Sequence, residues 1–303
     1  MKDKSKIQNP KSKICLTIAG LDPSGGAGII ADVKTFTAFG CFATAAATSL
    51  TFQNTTGVFG AIHQTAASVR GQIQPILNDF KVAALKTGML PTREIIEEIA
   101  KIVTENNLKN FVVDPVIRST SGYDLIDDDA LQSLIEKLFP LAEIVTPNVP
   151  EAERIARLKI ASKADIEKTA RIIQNFGAKN VLIKGGHLPI AERGMRNADL
   201  RKSQNQRPKT KDQKLKSAED FLFLGNELHV FKAEWIETDA THGTGCVLAA
   251  AITANLANGK NLIEAVGIAK RFVTEAIRTA PNIGRGHSPI NHSILDFGMR
   301  NAN

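Results

Sequence analysis

No uninterrupted apolar stretch in this 303-residue chain approaches the ~20 residues that span a bilayer, which argues against a membrane-spanning protein. Cysteine is scarce. Cys15, Cys41 and Cys246 are three in number, widely spaced and without a CxxC pair, so neither a disulfide framework nor a zinc site is indicated. The apolar run "ICLTIAG" that follows the basic start "MKDKSKIQNPKSK" is only seven residues long and enters a glycine-rich turn, unlike a cleavable signal, and a cytoplasmic location is expected. G-x-x-x-x-G-K-[ST] is absent, which excludes a P-loop. "GAGIIA" at 26–31 fits G-x-G-x-x-A, but no Asp or Glu lies between Asp32 and Asp79. A dinucleotide site would lack its ribose contact there, and the glycines can equally serve a tight turn.

What is present is an ordinary globular composition, with 43% hydrophobic and 23% charged residues. The net charge of +7 is unevenly placed: residues 1–13 carry +4 and residues 193–217 carry +7, leaving the rest at −4. The second basic segment has no interleaved aromatics, so it reads as a solvated surface insertion at about 193–220, and no nucleic-acid partner is expected. A nucleic-acid-binding module that uses this segment is the competing class of function.

Short β-branched runs alternate with helical patterns, as in βα units of a mostly parallel sheet flanked by helices in one α/β domain. Strands are expected at 14–20, 82–90, 110–116, 142–148 and 180–186, with an extended segment at 43–52 and a hairpin over 221–231 turning at Gly225-Asn226. Helices are expected at 27–40, 91–107, 128–138, 163–177, from Gly245 to Asn258, and at 261–280. Several strand ends carry polar or glycine residues, and such ends gather at one crevice. "THGTGCVLAAA" at 241–251 sets glycines before a helix, which either caps the helix or aims free N–H groups and its positive dipole end at a phosphate.

"TIAGLDPSGGAGIIADVKTF", "QNTTGV", "LKTGML", "VVDPVIRSTSG", "VTPNVPEAERI", "VLIKGGH" and "THGTGC", in that order, resemble the hydroxymethylpyrimidine/phosphomethylpyrimidine kinases of thiamine biosynthesis, in the ribokinase-like superfamily that includes pyridoxal kinases. The resemblance covers about residues 13–297, after a basic flexible 1–12. It implies a ribokinase-like single domain and a homodimer. It also implies transfer of the ATP γ-phosphate to 4-amino-5-hydroxymethyl-2-methylpyrimidine and then to its monophosphate, with Mg²⁺. The alternative within the superfamily is a pyridoxine or pyridoxal kinase.

The resemblance places Gln53 on the pyrimidine edge, where an amide offers both donor and acceptor. Gly20, Asp22 and Met89 would line the substrate pocket, although Asp22 can instead cap the next helix. Asp114 and Glu151 would stand near Mg²⁺, with Asn148 and Lys184 toward ATP. Gly243, Thr244, Gly245 and Cys246 would form the phosphate cradle. Related sugar kinases have aspartate where Cys246 stands. A helix N-terminus can lower a thiol's pKa from about 8.5, which allows a useful thiolate fraction, so Cys246 is expected to assist proton removal, the alternative being a small half-buried thiol that only lines the anion hole. Many members of the family carry lysine where this chain has Thr120, so that position is assigned no contact. Cys15 and Cys41 read as core or helix-end residues.

Overall fold

The computed structural model describes residues 12–119, 122–185 and 217–294. Its centre is a nine-stranded sheet in the order β3-β2-β1-β4-β5-β6-β7-β8-β9. The strands are β1 (Ile14–Leu21), β2 (Phe42–Asn54), β3 (Gly57–His63), β4 (Val82–Thr87), β5 (Phe111–Val113), β6 (Ile144–Val145), β7 (Asn180–Lys184), β8 (Ser217–Leu224) and β9 (Glu227–Glu234). From β2 through β1, β4, β5 and β6 to β7 every pairing is parallel, while β3, β8 and β9 run antiparallel at the two sides.

Side chains of successive strand residues leave opposite faces, and here both faces are buried. Leu16, Leu85, Val113, Val145, Val181 and Phe223 enter one core cluster. Their neighbours Cys15, Ala84, Val112, Ile144, Leu182 and Leu222 enter the other. Continuous apolar runs such as "FVV" follow from that double burial. One face is covered by α2 (Ala66–Asp79), α3 (Arg93–Glu105), α4 (Asp128–Ser133), α5 (Val149–Ala156) and α6 (Lys163–Asn175), and the other by α1 (Gly28–Ala38), α7 (Thr244–Ala257) and α8 (Leu262–Arg278). Helix α7 is alanine-rich and buried from Val247 to Ala257, and it lies close against β1, β4 and β5 with α1 and α8 packed against it.

Most expected elements are present with shorter bounds. The helix expected at 128–138 keeps its α form only to Ser133 and continues as a wider π turn over Leu134–Leu138. Three strands or α-helices have no counterpart among the expected ranges, β3, α2 and α5. Helix α2 holds Gly71 and an internal Pro75 and fully buries only Val69 and Ile73, so breaker residues and a thin apolar stripe hide it. The insertion expected over 193–220 ends earlier. Residues 217–220 already belong to β8, where Asp220 is buried against Lys270, while 193–216 lie outside the described residues, as do 1–11 and Thr120. The hairpin therefore runs over 217–234.

Strand order reverses at β1, whose sequence neighbour β2 lies on one side and β4 on the other. In such sheets the crevice beyond the carboxyl ends at the reversal receives the ligand.

Candidate active site

A cavity of about 820 Å³ opens at that crevice, within the range of small-molecule sites. Every position expected at the site lines it: Gly20, Asp22, Gln53 and Met89 toward β1 and β2, Asp114, Asn148, Glu151 and Lys184 from β5 to β7, and Gly243 to Cys246 at the start of α7.

The α7 end is built by close approach. Gly243 has φ +83°, and a Cβ there would lie 1.8 Å from the carbonyl oxygen of Gly26. Gly28, with φ +54°, would clash in the same way with the carbonyl of Gly20 at 2.2 Å. Only glycine permits the turn before α1 and the turn before α7 to touch. No side chain caps α7, and Thr244, Gly245 and Cys246 line the cavity, so the first-turn amides and the positive dipole end are available to an anion. Lys184 Nζ stands 3.2 Å from where a Cβ of Gly245 would be, a space that glycine leaves open.

Lys184 Nζ donates to Asp114 Oδ1 at 2.8 Å, and the Thr146 hydroxyl donates to the same oxygen at 3.0 Å. Burial opposes the lysine's charge, yet Asp114 and Glu151 outweigh it and hold the ammonium above its usual pKa. Glu151 is pushed up to about 7, by burial first and by the Asp114 charge, against the pull of Lys184. Its carboxylate accepts from the Asn148 N–H at 2.7 Å, while the Asn148 side chain accepts from the Glu151 N–H at 2.9 Å, a capping box that starts α5. Asn148 is thus committed to α5 as well as lining the cavity. No group of three or more metal-binding side chains occurs among the described residues. Two carboxylates suit Mg²⁺, which keeps most of its waters, rather than a cation that needs a full protein cage.

On β2, a register shift between Phe52 and Gln53 interrupts the β2–β3 ladder, and such a bulge re-aims a side chain. Gln53 Oε1 lies 3.1 Å from Thr51 Oγ1, and its Nε2 lies 3.4 Å from His242 Nε2. Met89 packs its sulfur over Gly20. Asp22 does not offer a free carboxylate to a substrate. Its Oδ1 accepts from the N–H and hydroxyl of Ser24, and its Oδ2 accepts from the Ala27 N–H at 2.9 Å and faces His242 Nε2 at 2.8 Å. Burial pushes this carboxyl up, but the bonds from His242 and Ser24 outweigh it and hold it below the usual value.

The expected lowering of the Cys246 pKa is overturned. Burial pushes the thiol up to about 11. The nearby Asp114 and Asp32 charges add to that, and neither Lys86 nor the Gly28 N–H compensates. At neutral pH the group is therefore a thiol. Sequence reasoning also missed what lies beneath it: Lys86 and Asp32, both fully buried, form an ion pair at 2.9 Å, and the Thr17 hydroxyl donates to the same Asp32 oxygen at 2.6 Å. Lys86 sits inside the quoted "LKTGML", and a lysine in the middle of an apolar strand was the available signal. His242 likewise lies within "THGTGC", where nothing local to the sequence signals its contacts with Asp22 and Gln53. Cys15 and Cys41 are buried, as expected.

A glycine-lined helix N-terminus, a lysine and two carboxylates around one cavity at a strand-order reversal define a small-molecule phosphotransferase of the ribokinase-like fold. Residues 22–291 match the phosphomethylpyrimidine kinase family, and the chain belongs to it. It is 40% identical over 283 residues to a hydroxymethylpyrimidine/phosphomethylpyrimidine kinase of Staphylococcus aureus, covering 93% of this chain and 94% of that one. It is 42% identical over 285 residues to the thiamine biosynthesis bifunctional protein of Geobacter sulfurreducens, covering 94% of this chain but only 53% of that longer one. It also superposes, with TM-score 0.78 and 31% identity over 96% of this chain and 95% of the other, on a Staphylococcus aureus pyridoxal kinase in complex with AMP-PCP and pyridoxal. No helix among the described residues is long and apolar enough to cross a membrane.

Proposed function

We propose that the protein transfers the γ-phosphoryl group of ATP to the hydroxymethyl group of 4-amino-5-hydroxymethyl-2-methylpyrimidine, and then phosphorylates the monophosphate to the diphosphate, in thiamine biosynthesis. The observation that carries the reading is one continuous cavity lined both by an amide side chain, Gln53, and by the α7 cradle with Lys184. The amide takes the aminopyrimidine edge, which sets the hydroxymethyl group toward the cradle.

Phosphoryl transfer passes through a loose transition state, so alignment and charge neutralisation supply most of the acceleration. The amides of Gly243 to Cys246 hold the transferring group, and Lys184 offsets charge as it develops on the phosphate oxygens. Asp114 and Glu151 would hold Mg²⁺, largely through its waters, and the metal would neutralise the nucleotide's phosphates. Asn148 lies on the ATP side. Cys246 lines the cradle as a neutral thiol and accepts no proton; the hydroxyl proton passes late in the transfer to an oxygen of the transferring phosphoryl group, as the bond to ADP breaks and the bond to the hydroxymethyl oxygen forms. The chain works as a cytoplasmic homodimer. Leu50, Phe52 and Ile62 are exposed at neighbouring positions of β2 and β3, and a second copy would cover them.

The test is direct. Purified protein with Mg-ATP is offered the hydroxymethylpyrimidine, its monophosphate and pyridoxal separately, and the products are identified by mass. The expected result is phosphorylation of both pyrimidines at kcat/KM well above that for pyridoxal. The superposition on a pyridoxal-bound kinase is the observation that favours the second reading, a pyridoxal kinase, and preference for pyridoxal would establish it.

A further inference from the structure

We propose that His242 and Thr51 fix the polarity of the Gln53 amide, so that its N–H and its carbonyl meet the substrate's edge in one order only. The proposal rests on the pyrimidine-kinase reading above.

The two ends of a glutamine amide have the same shape, and their neighbours decide which is which. Thr51 has one hydroxyl proton and two acceptors in reach, the Leu21 carbonyl at 2.9 Å and Gln53 Oε1 at 3.1 Å. Once that proton goes to the nearer carbonyl, the hydroxyl oxygen turns a lone pair toward Gln53 and calls for an amide N–H. At the other end, the ionised Asp22 can only accept, so His242 Nε2, 2.8 Å away, carries the proton. A protonated ring nitrogen has nothing to offer an amide N–H at 3.4 Å and calls for an oxygen. Both neighbours therefore require the same arrangement, with the amide nitrogen toward Thr51 and the oxygen toward His242. A half-turn of the amide about its last bond delivers it without other movement.

The result is a directed chain. Gln53 N–H donates to Thr51, which donates to the Leu21 carbonyl, while the His242 N–H is shared between Asp22 and Gln53 Oε1. His242 is held rigidly, since a Cβ on Gly26 would lie 2.3 Å from its ring and its backbone N–H donates to the Ser288 carbonyl at 3.3 Å. One amide N–H and one carbonyl lone pair remain for the ligand. A 4-aminopyrimidine offers a ring-nitrogen acceptor beside an amino donor, which matches that order. The 4-oxo analogue offers an N–H donor beside a carbonyl acceptor, the reverse order. Because the hydroxymethyl group must face the α7 cradle, the analogue's ring cannot turn over to compensate.

The experiment compares kcat/KM for 4-amino-5-hydroxymethyl-2-methylpyrimidine and its 4-oxo analogue in wild type, His242→Phe and Thr51→Val. Wild type is expected to prefer the amino compound by about 1,000-fold, since a reversed edge leaves two buried polar groups unpaired. In each variant the preference should fall to about 10-fold with the KM for ATP unchanged. A merely structural role would lower both activities together and leave the ratio as it was. Thr51→Val is close to isosteric and keeps the test available where His242→Phe does not fold. An unchanged ratio in variants that still phosphorylate the amino compound, or a wild type that accepts both compounds equally, overturns the proposal alone. A wild type inactive on both pyrimidines overturns the pyrimidine-kinase reading and this proposal with it.

Discussion

Replacing or alkylating Cys246 separates two accounts of proton removal, because the thiol's environment sets a number. A thiol at about 11 holds roughly 300-fold less thiolate at pH 7.5 than a free cysteine at about 8.5. Alkylation by iodoacetamide in the absence of nucleotide reads that fraction directly. Cys246 is half-buried, whereas Cys15 and Cys41 are buried, so modification of the native protein reports on position 246. The rate should climb about tenfold per pH unit from 7 to beyond 10, without levelling off near 9. A group so rarely ionised is a weak base in the resting enzyme. Cys246→Ala should therefore lower kcat by less than the ~100-fold at the low end of what a working general base supplies, and leave both KM values near wild type. An alkylation rate that saturates by pH 9, together with a loss above about 1,000-fold in the alanine variant, would refute the argument that burial dominates this site.

Two further outcomes follow from the same geometry. Gly243→Ala meets a carbonyl oxygen at 1.8 Å in a left-handed backbone conformation, so it should cost more than about 2 kcal/mol of stability in denaturant melts and more than about 100-fold in kcat/KM. His292 is buried and pushed down to about 4, by burial first and then by the Lys34 and His242 charges. The unfolded chain binds that proton more readily than the folded one, so stability should fall as pH drops from about 6.5 toward 4 and level off below. Shifts of that size correspond to about 3 kcal/mol at most. His292→Gln should flatten this acid slope in calorimetric melts, and an unchanged slope would show that the titration lies elsewhere.

The parts of this protein that read easily from its residues are those where local chemistry and tertiary role coincide. "ICLTIAGL" and "NVLIK" are mostly apolar because both sheet faces are covered, and Gly243 is glycine because a carbonyl sits where its side chain would be. The parts that did not read were decided by distant neighbours. The Cys246 address suggests activation by a helix end, but burial among distant segments of the fold reverses the sign, and the carboxylates of Asp114 and Asp32 from other elements add to it. Asp22 looks like a pocket acid, and only the fold brings His242, 220 positions away, to occupy it. Helix α2 was obscured by its own proline.

The Lys86–Asp32 pair has a bearing on how such enzymes diverge. Losing either partner alone strands a charge in the interior, a change of about 3–5 kcal/mol, whereas exchanging both for apolar residues of like volume is often neutral. Neutral drift by single steps is thus closed at these two positions, and a lineage that leaves this arrangement must do so in one coordinated jump, or else after gaining stability elsewhere. Sites 32 and 86 should then be inherited as a unit, changing together between branches while the surface around them turns over freely.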